Sequence, residues 1–184
     1  MELVAGIDEA GRGAWFGPVV AGAVVLSPSL GLGADSKKLS PRRREELAVL
    51  IRRGALAWGI GMASVGEIDR LNILGASLLA MERALASLPF LPHHCLVDGR
   101  EPLRWQEVRP IPQTTIVGGD GLSRAIGAGS ILAKVHRDAL IVAMAKTYPG
   151  YDLEHNKGYG TAKHRWGISQ FGLTDQHRRS FRLG

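Results

Sequence analysis

The octet Gly6-Ile7-Asp8-Glu9-Ala10-Gly11-Arg12-Gly13 puts two carboxylates, a guanidinium and flanking glycines into one short stretch. The acids close the apolar run Leu3-Val4-Ala5-Gly6-Ile7, which reads as a strand buried on both faces. Acids at the end of such a strand are costly unless something positive lies against them. Strand neighbours point to opposite faces, so Asp8 and Glu9 are expected to converge only if Glu9 has left the strand. Gly11 and Gly13 permit that turn and let a backbone come close to a ligand. A divalent cation on the acids, with a phosphate on Arg12 and the exposed N–H groups, would account for the whole octet. A solvated loop start is the plainer alternative for the same residues.

Two more acids sit at, or just beyond, the ends of apolar runs. Asp98 follows Cys95-Leu96-Val97, and Asp120 follows Thr114–Val117 and a Gly118-Gly119 pair. Oxygen-only donors suit magnesium or manganese. Several acids around one point repel one another strongly unless a cation neutralises them. Two such ions can clamp the attacking and leaving oxygens of a phosphoryl transfer, which then needs no nucleophilic side chain. The sequence fits that absence: it holds no Gly-x-Ser-x-Gly elbow, no phosphate-binding Gly-x-x-x-x-Gly-Lys-Ser/Thr loop and no His-Glu-x-x-His helix. Cys95 is the single cysteine, which excludes an internal disulfide, and it reads as a small core residue.

The elements that must position these groups follow from local signals. Glu2–Ile7 and Val19–Leu26 read as two strands of a hairpin. Ser40-Pro41 opens a helix over Arg42–Arg53 that stops at Gly54. Ala55–Ala63 reads as a third strand. Ser64-Val65-Gly66-Glu67 is a capping box that opens a long helix ending near Leu88-Pro89. Its apolar side carries Ile68, Leu71, Leu74, Leu78, Leu79 and Leu85. His94–Val97 and Thr114–Val117 are further strands. A helix is expected from Leu122 to Lys146, with Ile126, Ile131, Leu132, Val135, Leu140 and Val142 in the core. The tail from Lys157 reads as two short helical pieces capped by Thr161 and Thr174. Strands first, then strands alternating with helices, argue a mixed sheet flanked by helices, with ligands at the strand carboxyl ends.

The 184 residues suit one domain. A net charge of +6 favours a polyanionic partner such as nucleic acid, or an acidic membrane surface, with a merely basic soluble protein as the plainer alternative. Acids near the N-terminus do not fit a signal peptide. The apolar run Val19–Leu26 falls short of the roughly 20 residues a bilayer needs. A cytoplasmic protein with no membrane association is expected, and a monomer.

The chain resembles the bacterial ribonuclease HII family nearly end to end. The resemblance is carried by Gly6–Gly13, Gly17-Pro18-Val19-Val20-Ala21, Asp35-Ser36-Lys37-Lys38-Leu39-Ser40, Glu67-Ile68-Asp69 with Leu71-Asn72-Ile73, Leu96-Val97-Asp98-Gly99, Ala128–Val135 with Arg137-Asp138, and Lys157-Gly158-Tyr159-Gly160-Thr161. It implies a ribonuclease H-like α/β fold: a mixed five-stranded sheet flanked by helices, with a short C-terminal helical extension. The expected division is a catalytic domain over residues 1–146 and a basic extension over 147–184 packed on it. The implied activity is endonucleolytic cutting of the RNA strand of RNA–DNA hybrids, and cutting 5′ of single ribonucleotides in duplex DNA. Two ions, Mg2+ or Mn2+, are implied, leaving 3′-hydroxyl and 5′-phosphate ends.

Asp8, Glu9, Asp98 and Asp120 match the family's four active-site acids. This chain has Gly118-Gly119-Asp120 where the family usually has lysine-glycine-aspartate. Asp138 is the rival acid, read as a structural ion pair with neighbouring Arg137. Gly11-Arg12-Gly13 resembles the family's clamp on the 2′-hydroxyl and phosphate, although Arg12 has the alternative of only neutralising the acids. Tyr159 matches the tyrosine that senses the RNA–DNA junction. Lys37, Lys38, Lys157, Lys163, His164, Arg165, Arg178 and Arg179 are candidate phosphate contacts, with a solvated basic face as the alternative. Ala14-Trp15-Phe16 and Asn156 depart from the family pattern, and Trp15 is read either as a stacking platform or as a cover for the turn. A non-catalytic hybrid-binding module and a DNA junction resolvase of the same fold are the rival functions.

Overall fold

The computed structural model describes residues 2–30, 39–104 and 110–183. Five strands form one sheet: β1 (Val4–Ala10), β2 (Val19–Val25), β3 (Ala57–Ala63), β4 (His94–Asp98) and β5 (Gln113–Ile116). Their order is β3-β2-β1-β4-β5. β1 runs antiparallel to β2, and β2 to β3, whereas β1–β4 and β4–β5 are parallel. The sheet is therefore mixed, with β1 at its centre.

Helices cover both faces: α1 (Pro41–Gly54), α2 (Val65–Ala86), α3 (Gly119–Leu122), α4 (Arg124–Met144), α5 (Leu153–Asn156) and α6 (Ala162–Phe171). Alternation along the strands splits the core. Ala5, Ile7, Val19, Ala21, Ala23 and Val25 bury against α2. Val24 faces α1 and α4 through Ala48, Ile51, Ala128, Ile131 and Leu132. On that second face the α4 backbone lies directly on the sheet. A Cβ on Gly6 would sit 2.0 Å from the Ala125 carbonyl carbon, and one on Gly22 would sit 2.4 Å from the Gly129 oxygen. Only glycine allows so close an approach, and it brings Ser130 and Lys134 of α4 beside the end of β1.

Several local expectations are corrected. β1 continues through Asp8 and Glu9, which pair with Gly22 and Ala21 of β2, so Glu9 has not left the strand. The ladder to β2 outlasts the apolar run. α2 holds one non-helical residue, Asn72 (φ 60°, ψ 171°), whose side chain caps Leu74 and Gly75. That break turns Leu71 and Leu74 out, to 38% and 41% exposure. The helix expected over Leu122–Lys146 is α4, which starts at Arg124 because Ser123 is extended and N-caps it by accepting from the Ile126 N–H; Leu122 closes the separate short helix α3. Val142 lies on the exposed side of α4. Thr161 caps α6 as expected. Thr174 instead closes a turn, accepting from the Gln176 N–H and meeting His177 Nδ1. No helix among the described residues is long and apolar enough to cross a membrane.

The C-terminal residues pack on the β1–β2 loop and on α2. Gly17 donates to the Gln176 carbonyl and Arg178 to that of Trp15. Asp69 of α2 accepts from Arg179 N, Ser180 N and Ser180 Oγ. Phe16, Ile141, Tyr151 and Leu153 form a small core of their own beneath this junction.

Candidate active site

Parallel strands end on the same edge of a sheet. The register pairs Ile7 with Val97, so the next residues, Asp8 and Asp98, lie side by side at the ends of β1 and β4. Glu9 completes the group: one carboxylate oxygen each from Asp8, Glu9 and Asp98 lies within 4.8 Å of the others. Asp8 and Glu9 start on opposite faces of β1. They meet because the Asp8 side chain folds along the strand, its Oδ1 accepting the Glu9 N–H at 2.7 Å.

The electrostatics follow from this crowding. Asp8 is nearly buried. Burial, then the charges of Glu9 and Asp98, hold its carboxyl well above the usual carboxylate range, opposed by hydrogen bonding from Ser130 and the Glu9 N–H. Glu9 is raised by burial, against the pull of Arg12. Arg12 donates from Nη1 to Glu9 Oε1 at 3.2 Å and stays half exposed. Three converging hard oxygen donors, two of them resisting ionisation without a positive neighbour, fit a divalent cation.

Asp120 is buried in α3, beside Gly119, whose N–H donates to Asp98 Oδ1 at 2.6 Å. Its oxygens are not part of the three-acid group. Gly118 supplies the left-handed turn (φ 67°) that starts α3.

Glu9, Arg12, Gly13 and Tyr159 line one cleft, together with Arg44, Ser130 and Lys134. A Cβ placed on Gly13 would lie 4.0 Å from Tyr159 Cε1, so the Gly-Arg-Gly turn and the tyrosine face each other. Lys134 Nζ lies 5.4 Å and Arg137 Cζ 5.5 Å from the centre of the Tyr159 ring. Arg44, Ser130 and Lys134 carried no sequence role. Ser130, Lys134 and Arg137 follow one another at spacings of four and three along α4 and so share one side of it, which is the signal that points to them.

The basic candidates divide. Lys37 and Lys38 lie outside the described residues. Lys163, Arg165 and Arg179 are exposed. Lys157 bonds through Nζ to the Glu154 carbonyl. His164 and Arg178 are fully buried and contact no solvent, which removes them as phosphate contacts. Asp138 pairs with Lys134 at 2.8 Å, one helical turn away, rather than with Arg137. Arg137 points inward, because adjacent residues on a helix do not share a face. Trp15 packs against the Tyr159 loop, where a Cβ on Gly160 would sit 2.4 Å from its ring, and Arg165 Cζ lies 6.0 Å from the centre of that ring. Asn156 builds the Tyr159 loop, bonding the Tyr151 carbonyl and the Gly158 N–H at 2.7 Å each. Cys95 is buried in the core, its thiol pushed up to about 12 by burial.

The same architecture occurs in the ribonuclease H2 of Pyrococcus horikoshii, 26% identical, covering 98% of this chain and 94% of that one with a TM-score of 0.78. It occurs also in Bst ribonuclease HIII, solved in complex with Mn2+, at a TM-score of 0.76 over 99% of this chain and 68% of that one; at 18% identity this likeness speaks for the fold alone. The sheet and its cluster of acids are those of the ribonuclease H class, and the matches to ribonuclease HII that follow support a metal-dependent endonuclease acting on RNA–DNA hybrids. The family model for Ribonuclease HII matches residues 5–183. Ribonuclease HII of Acaryochloris marina is 55% identical over 187 residues, 98% of this chain and 92% of that protein. The chain belongs to the ribonuclease HII family.

Proposed function

We propose that the chain cuts the RNA strand of RNA–DNA hybrids, and cuts 5′ of a single ribonucleotide embedded in duplex DNA, by two-metal-ion phosphodiester hydrolysis in the cytoplasm. The products carry 3′-hydroxyl and 5′-phosphate ends. The observation that carries this reading is the meeting of carboxylate oxygens from two adjacent parallel strand ends within 4.8 Å of one another. Asp8, Glu9 and Asp98 would hold the ions, with Asp120 as the fourth acid. Bound Mg2+ or Mn2+ would lower the pKa of water and stabilise charge on the leaving 3′-oxygen.

The chain's own residues orient the substrate. The N–H groups of Gly11-Arg12-Gly13 take the 2′-hydroxyl, the group that separates RNA from DNA, and the adjoining phosphate. Arg12, bound to Glu9, also damps the repulsion among the acids. Tyr159 stacks on the next deoxyribose and sets its hydroxyl against the reacting ribonucleotide. Arg44 and Lys134, on the rim of the same cleft, meet phosphates to either side. Lys37 and Lys38 stay candidates for the same task on the resemblance alone. Residues 147–184 belong to the same working unit, since they carry Tyr159 and clasp the β1–β2 loop.

The test is a labelled DNA duplex with one ribonucleotide, incubated with Mg2+ or Mn2+. Cutting 5′ of the ribonucleotide is expected. Binding without cutting would mark a hybrid-binding module, and cutting of branched all-DNA substrates a resolvase. Tyr159→Ala should reduce cutting at the single ribonucleotide more than it reduces duplex affinity; an equal fall in both would refute the sensing role.

A further inference from the structure

Two arginines outside the acid cluster are fully buried, Arg137 on α4 and Arg178 in the C-terminal segment, and neither forms an ion pair among the described residues. Both spend their donors on carbonyl groups. Arg137 donates to Pro18 from Nε at 3.0 Å, to Lys157 from Nη1 at 2.9 Å and to Phe16 from Nη2 at 2.9 Å. Arg178 donates to Gly17 from Nε at 3.0 Å and to Arg12 from Nη1 at 2.8 Å. Its Nη2 is buried without a hydrogen-bond partner among the described residues. Burial first, then the charge of Arg137, brings the Arg178 guanidinium down to about 9. Two like charges in the interior are an expensive way to fill volume, and apolar side chains would serve packing better.

What the pair accomplishes is orientation of backbone. In a trans peptide the C=O and the following N–H point opposite ways. Arg178 draws the Arg12 carbonyl inward, which turns the Gly13 N–H outward. That N–H has no hydrogen-bond partner among the described residues. Arg137 holds the Lys157 carbonyl, two residues before Tyr159, and lies against the Tyr159 ring. It also fills the space beside Gly11, where a Cβ would sit 2.0 Å from its Nε.

We propose that Arg137 and Arg178 are positioning residues for ribonucleotide selection, a buried pair that sets the Gly13 N–H and the Tyr159 ring in register across the cleft. This rests on the sensing role given above to Gly11-Arg12-Gly13 and Tyr159. A uniform hybrid offers a 2′-hydroxyl in every register, so loss of register is partly averaged away. A single ribonucleotide offers one.

The test compares kcat/KM of the full chain with saturating Mg2+ on a duplex carrying one ribonucleotide and on a uniform RNA–DNA hybrid. Arg137→Lys keeps the charge and loses the planar fork. The ratio of the two activities should fall about ten- to hundredfold, as misplacement of a substrate-orienting group does. In a Tyr159→Ala background the same substitution should move that ratio less than about twofold, because both act through one element. An equal fall on both substrates, or the full effect in the Tyr159→Ala background, overturns the proposal while leaving the sensing role intact. An unchanged ratio in Tyr159→Ala alone overturns the sensing role and the proposal with it. If Arg137→Lys does not give a native near-UV spectrum, Arg178→Lys, compared on the two duplexes in the wild-type background, decides the matter: the same fall in the ratio is expected, and an equal fall on both substrates overturns the proposal.

Discussion

Acidification should unlock the C-terminal segment through one side chain, His177. It is buried, 3.1 Å from His164 through their Nε2 atoms, against the rings of Phe16 and Tyr151. The hydrogen bonds fix neutral rings. His164 Nδ1–H donates to the Tyr159 carbonyl, so its Nε2 accepts from His177, whose Nδ1 accepts the Thr174 N–H. Burial, then His164 and Arg179, hold the His177 imidazole down to about 4, from 6.5. Between those values the unfolded chain binds the extra proton, so stability is full above 6.5 and is lost as pH falls towards 4. At pH 5 the loss is about 2 kcal/mol. In a chain of this length that lowers Tm by about 4–8 °C. His164, also shifted down by burial, adds in the same direction. Asp8 and Glu9, raised by burial, act oppositely in metal-free protein. The measurement is therefore a difference: the fall in Tm from pH 7.5 to pH 5, with chelator, in wild type and in His177→Gln. His177→Gln should show the smaller fall. Equal falls in the two proteins would refute a His177 held neutral by its surroundings.

Gly11 and Gly13 should separate stability from cutting. Ala at Gly11 meets Arg137 at 2.0 Å with φ at +91°, and should cost about 2 kcal/mol or more in urea unfolding. Ala at Gly13 meets nothing nearer than Tyr159 Cε1 at 4.0 Å. It should leave stability within about 0.5 kcal/mol while slowing cutting at a single ribonucleotide about tenfold or more. The opposite ranking in either assay would contradict the geometry. Mn2+ at about a hundred times its Kd should raise Tm by about 5–10 °C. Asp8→Asn should abolish both that rise and turnover while remaining folded, and full activity in that variant would defeat the assignment. Cys95 should react with a maleimide at neutral pH only on unfolding, since its thiol is buried and pushed up to about 12; rapid labelling of the native chain would contradict its burial.

Much of the fold was legible because its signals are local. The Ser40-Pro41 start of α1, the Ser64/Glu67 capping box of α2 and the Thr161 cap of α6 each depend on residues within one turn of one another. Where a non-local partner decided, the local signal failed. β2 kept Glu9 in the ladder, the C-terminal turn took Thr174, and the inward course of Arg137 left Asp138 to Lys134. Asp8, Glu9 and Asp98 were visible as strand-end acids. Their meeting depends on the parallel register of β1 and β4, whose pairing spans about ninety residues of chain.

The order of side-chain types along the chain determined by itself which groups are available: hard oxygen donors at strand ends, a glycine-flanked arginine, a tyrosine between glycines and a positive net charge. That information survives in one dimension because valence, charge and backbone freedom belong to residues singly. Tertiary structure alone decided which charges face the cleft and which support it from beneath. Arg12, Arg44 and Lys134 reach the cleft, whereas Arg137, His164, His177 and Arg178 are enclosed. The reason is physical: burial and hydrogen-bond partnership are properties of the packed neighbourhood, and β1, α4 and the C-terminal turn bring that neighbourhood together from opposite ends of the polypeptide.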